Sequence, residues 1–91
     1  MLTKVTGTTQ VLTVNSSVAN SSIISNAVKV RLAATTDTYI HIGNTLTAAT
    51  SSDFILPAGT AEHFKLPDTA VAYISCLRVS ADGKLSITPV A

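Results

Sequence analysis

A chain of 91 residues is the length of one domain, and it is 46% hydrophobic yet only 12% charged, against a usual charged share of about 25%. The formal net charge is +1 with no basic run, which argues against nucleic-acid binding, and no stretch approaches the ~18–20 apolar residues of a membrane-spanning helix. The single cysteine, Cys76, cannot close an intrachain disulfide and fits a reducing compartment or indifference to redox state.

Threonine, serine and asparagine supply most of the remaining surface, as expected of a protein largely covered by neighbours or of a monomer with a threonine-rich sheet. Residues 2–6 and 10–14 are strand candidates, and Asn15-Ser16-Ser17 and Asn20-Ser21-Ser22 interrupt them with turn chemistry. Both triplets are formal glycosylation sequons. The start, Met1-Leu2-Thr3-Lys4 followed by polar residues, has no apolar signal segment, so they are expected to stay unmodified.

Residues 26–43 carry the clearest pattern. Val28, Val30 and Leu32 alternate with Lys29 and Arg31, and Ile40 and Ile42 alternate with Tyr39 and His41. A hairpin around residues 33–37 pairs Val30 with Ile40 and gathers the aliphatics on one face, leaving Arg31 opposite Tyr39 and Lys29 opposite His41. A second hairpin is expected to join 54–56 to 61–66 through Pro57-Ala58-Gly59-Thr60, in a type I turn with a left-handed Gly59. Residues 71–79 form the longest candidate strand, with apolar residues of both parities and so covered at least in part on both sides. A turn through Ala81-Asp82-Gly83 is expected to pair Val79 with Leu85 and Leu77 with Ile87, Pro67-Asp68 to end a strand, and Pro89 to close the last one at an edge.

No window has helical periodicity. About eight short strands imply an all-β fold, a small antiparallel sandwich or barrel spanning 1–91 as a single domain. Its core is expected from Val28, Val30, Leu32, Ile40, Ile42, Phe64, Leu66, Leu77, Val79, Leu85 and Ile87. Residues 1–25 are left as an N-terminal arm or edge strands. Because the core set does without them, deleting residues 1–15 is expected to leave a folded domain while abolishing oligomerisation or docking.

Catalytic chemistry finds little support. Four of the five acids lie beside turns, and Asp53 facing His63 reads as a surface pair. His41, His63 and Cys76 lack metal-site spacing, no G-x-S-x-G elbow is present, and Cys76 reads as a small core residue. No cofactor and no metal is expected. Arg31 and Tyr39, residue types enriched at interfaces, form with His41 one candidate contact surface; Val11, Leu12 and Val14 of the N-terminal quarter form another.

The stretches 36–43 (T-D-x-Y-I-x-I-G), 51–59 (S-S-D-x-x-L-P-A-G), 62–66 (E-x-F-x-L) and 82–88 (D-G-x-L-x-I-T) resemble a group of small tailed-bacteriophage virion proteins. The resemblance covers residues 28–90 and omits the N-terminal quarter. It implies a non-enzymatic structural component, made in the host cytoplasm and placed on the outer surface of the capsid. A cement or decoration protein that binds the major capsid protein as a homo-oligomer, with a trimer favoured to match threefold axes, is the first expectation. A head-fibre base or a tail or neck attachment piece is the alternative, and a small carbohydrate-binding module is a third. Neither nucleic acid nor membrane is an expected partner.

Overall fold

The computed structural model describes residues 4–25, 27–67 and 71–90. It holds eight strands and, among the described residues, no helix: β1 (Gln10–Val14), β2 (Ala19–Asn20), β3 (Lys29–Ala34), β4 (Thr38–Gly43), β5 (Phe54–Leu56), β6 (Ala61–Lys65), β7 (Tyr73–Arg78) and β8 (Gly83–Val90). They form two four-stranded antiparallel sheets, sheet A in the order β1-β8-β3-β6 and sheet B in the order β2-β7-β4-β5. Each strand of the first half pairs with one of the second: β1 with β8, β2 with β7, β3 with β6 and β4 with β5. The chain is one long antiparallel ribbon, turned back at residues 44–53 and rolled up so that β3 also pairs with β8 and β4 with β7. The strand order is that of a jelly roll.

Of the seven connections, only β4–β5 stays within a sheet; the other six cross between sheets. The three expected hairpins are therefore all arches. Val30 and Leu32 face Ile40 across the core and do not sit beside it, so Arg31 and Tyr39 point out of opposite sides of the molecule. An arch and a hairpin leave the same alternation in sequence, because both keep the flanking apolar residues on one side of the turn. The corners hold the difference. Thr35 donates its N–H to Lys84 O (3.0 Å) and accepts the Lys84 N–H on Oγ1 (2.9 Å). Asp37 accepts the Ala58 N–H on Oδ1 (2.8 Å) and the Val79 N–H on its carbonyl (3.2 Å), and Gly59 donates to Ala34 O (2.9 Å). Three corners are thus stitched to one another at one end of the sandwich. The left-handed Gly59 stands, at φ 74°, but its turn runs from Pro57 to Thr60 with glycine third, as a type II turn requires.

Val14, Val30, Leu32, Ile40, Leu56, Ile74, Cys76, Leu85 and Ile87 are fully buried between the sheets. Phe54 and Phe64, on the edge strands β5 and β6, meet with ring centroids 5.3 Å apart and close one open side. Three expected core residues lie elsewhere. Val28 precedes β3 and is 52% exposed, while Leu77 and Val79 are half-buried, because Ala72, Ile74 and Cys76 take the inner parity of β7. The outer parity is covered locally: the loop after β4 lays Ala49 over Ser75, whose Oγ accepts the Ala49 N–H at 2.8 Å. Leu2 lies outside the described residues, as does Asp68. Pro89, expected at an edge, lies instead in an interior strand: β8 runs between β1 and β3, Pro89 pairs with Val30, and past the end of β1 its carbonyl accepts the Thr6 N–H (2.9 Å) beside a Val5–Val90 bridge.

The N-terminal quarter is part of this fold. β1 pairs with β8 over five residues and β2 continues along β7, where the Ser21 hydroxyl takes the place of a backbone acceptor for the Ile74 N–H (2.9 Å). Gln10 clamps Ser22, accepting its N–H at 2.8 Å. Burial of a valine the size of Val14 contributes ~1.5–3 kcal/mol, before β1's hydrogen bonds are counted, against ~5–15 kcal/mol for a whole domain.

Deleting residues 1–15 is accordingly expected to unfold the domain, seen as loss of β-type circular dichroism and of a cooperative urea transition. At Gly83, an added Cβ would lie 2.5 Å from Thr35 Oγ1 and 2.6 Å from Thr36 Oγ1. Gly83→Ala is expected to push this corner outward and cost ~1–3 kcal/mol by urea unfolding, with Gly43→Ala, whose added Cβ meets nothing closer than 3.5 Å, as comparison.

Candidate functional site

The jelly roll leaves two broad outer faces, and they differ. On sheet A the inner parity takes Val30, Leu32, Leu85 and Ile87, so the alternate residues face out. Register arranges them in rows across the strands. Lys29 lies opposite Lys65, and Arg31 lies between Thr88 and His63. Next come Val11, Ser86, Ala33 and Ala61 in a row of mostly small side chains, and then Thr13 beside Lys84. Four of the chain's six lysines and arginines thus share one sheet face with His63. Among the described residues no carboxylate joins them, since the ion pairs are His41–Asp53 and Arg78–Asp82. The small row forms the floor of an open cavity of about 280 Å³, flanked by Arg31 on one side and Lys84 on the other. Lys84 Nζ donates to Thr13 Oγ1 at 3.2 Å.

Sheet B turns out Tyr39, Ile55 and Leu77, which lie side by side in register, and Ile55 is 47% exposed. His41 Nδ1 donates to Asp53 Oδ1 at 3.0 Å. Asp53 Oδ2 accepts the Thr50 N–H at 2.8 Å, and this carboxylate ties the end of the 44–53 loop to β4. The His41 hydrogen bond, then the Thr50 N–H, hold the Asp53 carboxyl below its ordinary value of 3.8.

The candidate residues read from sequence are therefore divided. Arg31 and Val11 (62% exposed) lie on the outer face of sheet A; Tyr39 and His41 lie on the opposite face of the molecule. Leu12 packs against the core and Val14 is fully buried, because β1 turns this parity inward, so neither is available to a partner. Asp53 meets His41 and not His63, since β5 pairs with β4 and not with β6. His41, His63 and Cys76 are held on outer face B, outer face A and in the core, and burial pushes the Cys76 thiol up to about 11. The sequence assigns no contact role to Lys29, Lys65, Lys84 or Ser86, and weighs His63 only as a partner for Asp53 or a metal ligand. Their outward parity is readable strand by strand, but only the strand order β8-β3-β6 brings them together.

The motif residues Asp37, Asp53, Gly59 and Gly83 hold the corners and the loop in place. The stabilisation that Asp53 contributes is present above about pH 4, and is lost as pH falls through its lowered folded-state value. The stability gap between wild type and Asp53→Asn is therefore expected to be largest near neutral pH and to narrow below about pH 4. Urea unfolding at each pH measures it, with Thr50 amide exchange faster in the variant.

No protein-family model matches this chain, and neither a curated protein nor a solved structure matches it.

Proposed function

We propose that the protein is a non-enzymatic structural component of a bacteriophage particle, a capsid cement protein that docks on the outer shell and stabilises contacts between major capsid subunits. The outer face of sheet A is the observation that carries this: a rigid sheet surface with Lys29, Arg31, Lys65 and Lys84 on a chain whose net charge is only +1. Charge gathered on one face of a weakly charged protein orients it on a partner of opposite sign. The jelly roll is an architecture that viral coat domains use, as lectins and cupins do; likeness of fold alone does not decide among these roles. The sequence resemblance of residues 28–90 to small virion proteins weighs toward the first. Outer face B, neutral around Tyr39, Ile55 and Leu77, is the side assigned to contact between copies in a closed trimer.

Binding to the assembled shell and not to its disrupted form would stabilise the shell by mass action. Particles carrying the protein are expected to rupture at a higher temperature than particles lacking it. Quantitative gel analysis should find a copy number comparable to that of the major capsid protein. A copy number fit only for the tail or neck, with no shift in rupture temperature, would replace cement with an attachment role.

A further inference from the structure

Within sheet A, β3 and β6 place Lys29 directly opposite Lys65, a pair of like charges, and Arg31 opposite His63. Directly opposed like charges destabilise a sheet pair, and among the described residues no acid relieves them. The row beyond is built from Ser86, Ala33 and Ala61, which opens the cavity between Arg31 and Lys84. Thr35, Thr60 and Ser86 line it with hydroxyls, and among the described residues this face carries no phenylalanine, tyrosine or tryptophan side chain. Without an aromatic platform the face is poorly suited to stacking on sugar rings or bases. Guanidinium and ammonium groups rimmed by hydroxyls suit carboxylates.

We infer that outer face A binds an extended acidic segment of a partner protein, with carboxylates spaced to the rows of the sheet. Rows on one face repeat every second residue, ~6.6–6.8 Å apart, and alternate side chains of an extended peptide repeat at the same distance. A segment running along β3 sets one carboxylate on Lys29 and Lys65 and the next, two residues on, on Arg31 and His63. The small row then receives the peptide's backbone, and a third carboxylate, four residues further, reaches Lys84. The recognised pattern is acidic at i, i+2 and i+6. This deepens the proposed docking role and rests on it for the partner's location, but its chemistry is testable with the purified full chain alone.

Calorimetric titration with a synthetic peptide carrying glutamate at i, i+2 and i+6 should show one-site binding that weakens with added salt. Binding should weaken about tenfold or more when the peptide's glutamates become glutamines, or in the double variant Arg31→Gln, Lys84→Gln. Lys4→Gln, a cation outside these rows, should leave binding unchanged. Filling the cavity with Ser86→Tyr should weaken binding while the urea midpoint of the outward-facing variant is retained. Absence of binding, equal binding of the glutamine peptide, or an equal loss in Lys4→Gln would overturn the inference. So would tighter binding of polygalacturonate or duplex DNA at matched charge concentration. If particles still bind the Arg31→Gln, Lys84→Gln protein at full occupancy, the acidic-segment site is wrong and the cement role stands. If the peptide binds but wild-type protein is missing from the shell, the reverse holds.

Discussion

The inner faces of the two sheets have only each other to bury against. Leu32 and Ile87 on sheet A and Ile40 and Ile74 on sheet B are inaccessible to solvent because each covers the opposite sheet. A chain this short gains little from a single-sided sheet, since a small domain buries a modest share of its surface even when fully packed. Carrying the chain across the core at nearly every corner satisfies both sheets together. The corners then become structural elements themselves, with Asp37, Thr35 and Gly59 holding three crossings at one end of the sandwich.

Much of this was legible residue by residue and little of it pair by pair. The strands at 29–34, 38–43 and 83–90 follow the alternation, and Val30, Leu32, Ile40, Leu85 and Ile87 fall inside as their parity demands. What alternation cannot report is which strand lies next door. Hairpin and arch share the same inward residues, and a preference for keeping Leu77 beside Ile87 led to a pairing that the chain does not make. The same ambiguity hid the cationic face. Arg31 was visible as an outward residue, whereas its neighbours His63 and Thr88 come from strands far along the chain. Val14 shows the converse: its segment looked dispensable because a core could be composed without it, yet β1 completes sheet A and supplies a fully buried side chain.

The two outer faces are independent of the core and so free to diverge. A sheet presents alternate residues to opposite sides, so cations can collect on outer face A at no cost to the apolar interior. Outer face B takes the opposite course, partly covered by its own loop through Ala49 and Ser75 and fastened by Asp53. The low total charge of the chain therefore conceals a gathering of cations on one of its two sides.

The ribbon's closing pair has a kinetic consequence. β1 finds its neighbour in β8, so residues 10–14 wait for residues 83–87 before sheet A can close. Native pairing between such distant parts of a chain slows folding, because the entropy of loop closure is lost before the contacts return it. During synthesis, the local β4–β5 turn-back is the part of the ribbon able to form early, and the edges of both half-built sheets stay exposed until the last strand leaves the ribosome. The nascent molecule is thus open to pairing with other copies of itself over that interval, and it reaches its jelly roll only after β8 has been translated.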